Sequence, residues 1–260
     1  MSDMTVATQI RWGAFDALMM ARRNLKIWFK VPAFIVFTVV QPVMFTLLFR
    51  YVFGGAIATG NVHYVDYLLP GVIGQTAAFT SFGTAISLAM EIKSGVIDRL
   101  RAMPIARSAV LLGRLGADLV RLLVTLLTII AVGYAVGFRF ENGVGGAIAL
   151  LALALIMGLA MCCVSAFIGL AIKDEESVQA FGLIWVFPLT FVSSAFVPVQ
   201  TMPGWMQAFA NNQPITQMVD AMRAMALGGP VGNHVWVGVL WMLGIMAVFI
   251  PLAVRSYRKA

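Results

Sequence analysis

Between Gly146 and Ile172 the chain reads GAIALLALALIMGLAMCCVSAFIGLAI, a stretch without one charged residue. About 20 predominantly apolar residues in a helix suffice to cross the hydrocarbon of a bilayer. This stretch therefore predicts a transmembrane helix, and its neighbours repeat the pattern. Comparable runs occur over 31–53, 67–90, 117–138, 178–197 and 234–254. The expected fold class is an all-α polytopic membrane protein with six transmembrane helices in a single domain spanning residues 1–260.

Composition agrees. Of the 260 residues, 61% are hydrophobic and 11% charged, and the mean hydropathy is +0.92. Soluble domains run near ~45–50% apolar and ~25% charged, so a water-soluble fold could not cover this apolar surface. The net charge of +7 is spread between apolar runs instead of being gathered on one face. That placement argues for membrane orientation and against nucleic-acid binding. Cys162 and Cys163 are adjacent within an apolar run and read as small packing residues, with no disulfide or metal implied. No short apolar core with a cleavage site stands near the start, so no cleavable signal peptide is expected.

Cytoplasmic loops carry the excess of Lys and Arg. With both termini inside, only Arg50, Arg139 and Arg223 fall outside. Residues 8–30 predict an interfacial amphipathic helix. Ile10, Ala14, Ala17, Leu18, Ala21, Leu25 and Trp28 repeat on one face, opposite Arg11, Asp16, Arg22, Arg23, Lys26 and Lys30. Such a helix lies in the headgroup plane with its cations toward anionic lipid.

The span centres offer little chemistry. They contain no paired carboxylates, no His-Glu zinc pattern and no nucleophile beside a base. His63 and His234, the two histidines, fall near the outer surface. No phosphate-cradling Gly-x-x-x-x-Gly-Lys-Ser/Thr loop occurs, so any ATP would be bound by another chain. Gln41-Pro42 is one polar break in the first span, thin support for an ion-coupled carrier.

The remaining charge is concentrated in residues 91–108, Glu91-Ile-Lys-Ser-Gly-Val-Ile-Asp-Arg-Leu-Arg-Ala-Met-Pro-Ile-Ala-Arg107 and the residue after it. Gly95 permits close backbone approach, Pro104 ends the segment, and Asp98, Arg99 and Arg101 offer both signs of charge. A docking element and a solvated connector are equally compatible with this pattern. Just beyond, Arg114, Asp118 and Arg121 share a helical face, so Asp118 can pair with either arginine.

Residues 198–229 predict an outer re-entrant segment. Non-helical backbone at membrane depth survives only where protein or water covers it. Pro198, Pro203 and Pro214 punctuate two short helices, Trp205–Ala210 and Ile215–Leu227, with Gly228-Gly229 closing the second and Asp220 able to pair with Arg223. Thr76, Thr80, Thr84 and Ser87 form a small polar stripe on the second span, and Thr190, Ser193 and Ser194 lie on the fifth. Such stripes serve close helix packing or line a substrate path.

The ordered set Glu91, Gly95, Arg99-Leu100-Arg101-Ala-Met-Pro104, Arg107, Gly113-Arg114 and Asp118 resembles the signature of ABC type-2 exporter permeases, the daunorubicin-resistance branch in particular. Phe196-Val-Pro198, Met202-Pro-Gly-Trp205, Asn212-Gln-Pro214 and Asp220-Ala-Met-Arg223 resemble the family's outer segment in the same order. The resemblance implies a permease of the bacterial plasma membrane, with both termini cytoplasmic, that exports an amphipathic drug-like or lipid-like compound. Two ATPase chains would carry ATP and Mg, with none on this chain, and would dock on the 91–108 coupling helix. The N-terminal helix would clamp that coupling helix, and Lys173-Asp-Glu-Glu176 would be a lesser contact. A second permease copy, or a related permease, would pair with it across the first and fifth spans, bringing Gln41, Phe45, Thr190 and Ser194 near the axis. Pro198, Trp205, Pro214, Asp220 and Arg223 would form an outer gate. The short segment from Gly54 to Asp66 departs from relatives that carry a large outer domain.

Overall fold

The structure, a computed structural model, describes residues 6–30, 32–54, 63–102 and 107–259. Most of the Gly54–Asp66 segment, namely 55–62, and Pro104 lie outside the described residues, as do the side chains of Arg101 and Arg107. Among the described residues every regular element is helical: α1 (Val6–Lys30), α2 (Pro32–Leu48), α3 (Tyr64–Lys93), α4 (Val96–Ala102), α5 (Arg107–Ala135), α6 (Gly143–Ile172), α7 (Glu175–Phe191), α8 (Gly204–Asn212), α9 (Pro214–Leu227) and α10 (His234–Lys259).

Among the described residues four stretches are long and apolar enough to cross a membrane: Tyr64–Lys93, Ala109–Ala135, Gly143–Ile172 and His234–Tyr257. Two of the sequence runs take another form. The first is divided into α2 and a π-helical turn, Phe49–Phe53. Pro42 cannot donate to the ladder of α2, and the buried Thr46 hydroxyl donates to the Pro42 carbonyl at 2.8 Å. The fifth run is helical only to Phe191 and is irregular through 192–198. The third run begins earlier as a helix than its apolar residues suggest, because α5 also carries the charged residues from Arg107 to Arg121.

The bundle is built around α3 and α6, with α5, α7, α9 and α10 packed about them. Its core is a layer of Leu69, Val72, Ile73, Leu126, Met157, Met218 and Met222. Helices in lipid associate through close packing rather than hydrophobic exclusion. Accordingly Gly169 of α6 abuts the backbone of Ala85 in α3, where a Cβ would stand 2.9 Å from the Ala85 Cα.

Helix α1 packs along α5. At Gly113 a side chain would meet the Ala17 carbonyl and the Met20 Cβ, both 2.5 Å away. The docked side of α1 runs through Ala17, Met20, Ala21 and the buried Trp28, while Phe15, Leu18 and Met19 remain exposed. The apolar face read from the sequence is thus divided: Ala17, Ala21 and Trp28 meet the bundle, and Leu18 faces outward.

Candidate functional site

Helix α3 stops where its charge begins. Ser94 donates its backbone N–H to Met90 at 2.9 Å, and Gly95, with φ +67°, turns the chain into α4. That left-handed conformation suits glycine, which lacks a Cβ. One turn earlier, Glu91 joins three helices. Its Oε2 lies 2.9 Å from Arg114 Nη1 of α5, and its Oε1 accepts from Arg23 Nη2 of α1 at 3.2 Å. Arg114 is buried, so Glu91 supplies the opposite charge that a desolvated guanidinium requires.

Helix α4 is amphipathic. Ile97 and Leu100 are buried in a cluster with Leu88, Val110, Leu170, Ala253 and Tyr257, which brings α3, α5, α6 and α10 onto one short helix. Asp98 and Arg99 on its other face are exposed. Helix α4 therefore packs on the ends of four bundle helices, beside the Glu91 carboxylate that joins α1 to α5.

Deeper in the bundle, Thr84 Oγ1 donates to Asp118 Oδ2 at 2.7 Å, and Asp118 is paired with Arg121. Of the two arginines open to Asp118 by spacing, Arg121 takes it and Arg114 turns to Glu91. The Thr84 hydroxyl also stands 3.5 Å from Cys162 Sγ. The remaining hydroxyls of the stripe bond to their own helix, Thr76 to Val72, Thr80 to Thr76 and Ser87 to Gly83.

At the connection after α6, Lys173 adopts φ 63° and Asp174 caps α7 by accepting the Ser177 N–H at 2.9 Å. The Ser177 side chain and backbone together hold this carboxyl below the usual aspartate range. Lys173, Asp174 and Glu176 are exposed, and Glu175 is half-buried.

The opposite end of the bundle holds the irregular segment after α7. Two of its carbonyls are satisfied by side chains from elsewhere in the bundle. The Ser194 carbonyl accepts from both Tyr67 Oη and Arg223 Nη2 at 2.8 Å, and the Val192 carbonyl accepts from Gln213 Nε2. Ser194 Oγ donates to Asp220 at 2.7 Å, and Arg223 Nη1 bonds the same carboxylate oxygen at 2.6 Å. The Arg223 guanidinium also lies 3.7 Å from the Tyr67 ring centroid, a favourable cation–π arrangement. Phe196 stacks on Phe49 at 4.5 Å, tying this segment to the end of the first run.

Helices α8 and α9 follow, each slightly longer than the segments read from the sequence. Pro198 precedes a short 3-10 turn, Pro214 begins α9, and Gly228, at φ +68°, ends it. Trp205 projects with 74% of its surface exposed. Beside Arg223 opens a cleft of about 530 Å³, lined by His63, Asp66, Glu141, Asp220 and His234 among others.

Thr190 and Ser194, expected near a dimer axis, are buried inside the protomer with their hydroxyls engaged by Val186 and Asp220. Gln41 is exposed and Phe45 half-buried on α2. The sequence reading missed both long-range knots, Arg23–Glu91–Arg114 and Tyr67–Arg223–Ser194. Each joins residues far apart in the chain, and only the charge of the partners hinted at them.

Comparison with known proteins bears directly on this architecture. Residues 17–227 match the family model described as ABC-2 type transporter. The chain is 34% identical over 228 residues to the daunorubicin resistance ABC transporter permease protein DrrB1 of Streptomyces coeruleorubidus, covering 88% of this chain and 81% of that one. It is 30% identical over 253 residues to the probable doxorubicin resistance ABC transporter permease protein DrrC of Mycobacterium tuberculosis, covering 94% and 89%. A more distant relative, at 24% identity over 210 residues, is the putative transport permease ycf38 of Pyropia yezoensis, with 79% and 71% covered. With long apolar helices packed around α3 and α6 and a family match over most of its length, this chain belongs to the ABC-2 type transporter family as a multi-pass membrane permease.

Proposed function

We propose that the chain is the membrane half of an ATP-driven exporter, with separate ATPase chains docking on α4. The observation that carries this is the division of α4: Ile97 and Leu100 anchor it among four helix ends, while Asp98 and Arg99 stay exposed. A connector has no need of such an anchor. A helix that receives force must be seated at its back and accessible at its front. The Glu91 knot supports the same reading, since displacement of α4 would pull on α1 and α5 together.

In this reading α2 and α7 join the four long helices to give six crossings, with both termini on the cytoplasmic side. The basic residues at the α4 end favour that orientation. Two permeases, identical or related, pair to enclose the pathway. The names of the relatives favour a drug-like amphipathic cargo, and a lipid-like one shares that chemistry. The Arg223 knot would hold the outer exit closed until the drive arrives.

Reconstitution tests the assignment. Membrane vesicles holding the permease and its partner ATPase should accumulate a fluorescent anthracycline only with ATP. Accumulation driven by a proton gradient without the ATPase would instead make the chain an ion-coupled carrier. Absence of substrate-stimulated hydrolysis in the same vesicles would reduce it to a scaffold.

A further inference from the structure

Helix α10 contributes little of its surface to the bundle. Trp236, Leu240 and Leu243 are each more than half exposed. Between its ridges lies a groove of about 520 Å³ lined by Val237, Leu240, Trp241, Gly244, Val248 and Phe249. The two glycines of this helix differ in kind. At Gly238 a Cβ would meet Met218 Sδ at 2.8 Å, so packing against α9 explains it. At Gly244 nothing lies within 4 Å. That glycine fits no neighbour in the protomer, and its missing side chain deepens the groove.

Beyond the groove the same helix carries a cation. Gly244, Val248, Pro251 and Arg255 follow one another at four-, three- and four-residue spacing, which is one stripe of an α-helix. Arg255 is exposed, and no carboxylate among the described residues pairs with it. The eleven helical steps from Gly244 to Arg255 span about 16 Å at 1.5 Å per residue. Half the hydrocarbon thickness of a bilayer is about 15 Å.

We propose that this stripe binds one anionic glycerophospholipid, with its phosphate at Arg255 and an acyl chain lying in the groove toward Gly244. Length, polarity and charge all match that occupant. A second copy of the chain fits less well. An isologous contact here, about an axis along the membrane normal, would set the two Arg255 cations at the same level. The choice of the cytoplasmic leaflet rests on the orientation proposed above, whereas the binding itself does not.

The experiment uses the permease alone, so its result is independent of ATPase docking. The protein is placed in nanodiscs of mixed phosphatidylcholine and phosphatidylglycerol, and the lipids retained on release are counted by native mass spectrometry. The wild type should retain phosphatidylglycerol in preference. Arg255→Gln, at an exposed position, should cut that preference roughly fivefold, the effect of one basic residue at an anionic surface. Gly244→Phe, which keeps the charge, should remove the bound lipid of either kind. Equal retention of the two lipids by the wild type, or wild-type retention in both variants, overturns the proposal. So does efficient cross-linking of Leu240→Cys between copies, which would give the groove to a second chain.

Discussion

Arg114 Nη1 lies 2.9 Å from Glu91 Oε2, and the other oxygen of that carboxylate is held by Arg23. The arginine is buried and the glutamate is not fully so, which makes the pair asymmetric. Removing Glu91 strands a desolvated cation, whereas removing Arg23 releases a partner that is one-third exposed.

Glu91→Ala should therefore destabilise the detergent-solubilised permease by about 3 kcal/mol, the usual cost of breaking a buried pair. Arg23→Gln should cost less than about 1 kcal/mol, as for a partly solvated pair. The double variant Glu91→Ala with Arg114→Met should regain much of the loss, because no unpaired charge remains. Thermal unfolding followed by tryptophan fluorescence checks all three. Equal losses for Glu91 and Arg23 would show that Arg114 is solvated.

On α4, substitutions on the two faces should separate docking from folding. Asp98→Lys and Arg99→Glu alter exposed groups and should leave insertion and expression intact, yet weaken capture of the partner ATPase at least ~10-fold, about 1.4 kcal/mol. Leu100→Asp buries an unpaired carboxylate and should lower the yield of folded protein itself. If pull-down and substrate-stimulated hydrolysis survive both surface changes, α4 is only a connector.

Arg223 gives its donors to the Ser194 carbonyl, the Tyr67 carbonyl and Asp220. Arg223→Met should strand those acceptors and cost about 3 kcal/mol, loosening the irregular segment after α7. Arg223→Lys keeps the charge but loses the planar fork and should fall between. A cysteine placed at the buried Ser193 should react with a membrane-impermeant maleimide faster in Arg223→Met than in the parent. Unchanged labelling would mean that the segment is held by its apolar contacts alone.

Much of this architecture is legible in the sequence, for physical reasons that also mark where legibility ends. The runs behind α3, α5, α6 and α10 are read correctly because backbone in lipid must satisfy its own hydrogen bonds, which leaves helix as the form available to them. The 178–197 run is only partly helical. Its last residues depend on Tyr67, Gln213 and Arg223, and no local pattern announces partners from other helices. The same holds on α5, where spacing puts Arg114, Asp118 and Arg121 on one face. Which arginine takes Asp118 is decided by Glu91, on a different helix.

Thr190 and Ser194 are buried within the protomer, so cysteines at those positions would report on local unfolding rather than on a partner. The outward face of α7 is carried by Phe181, Ile184 and Phe187, with Ile184 70% exposed. On α2 the exposed Gln41 offers the polar group that interhelical hydrogen bonding in lipid can use. If two permeases pair across α2 and α7, Ile184→Cys should cross-link between copies in native membranes. Ile148→Cys on α6, 63% exposed, should not. Gln41→Leu should lower the yield of the Ile184→Cys cross-link by roughly threefold, the scale of about 0.6 kcal/mol measured for polar contacts between membrane helices. A cross-link through Ile148 and none through Ile184 would move the interface to α6, and the pathway between the two copies would move with it.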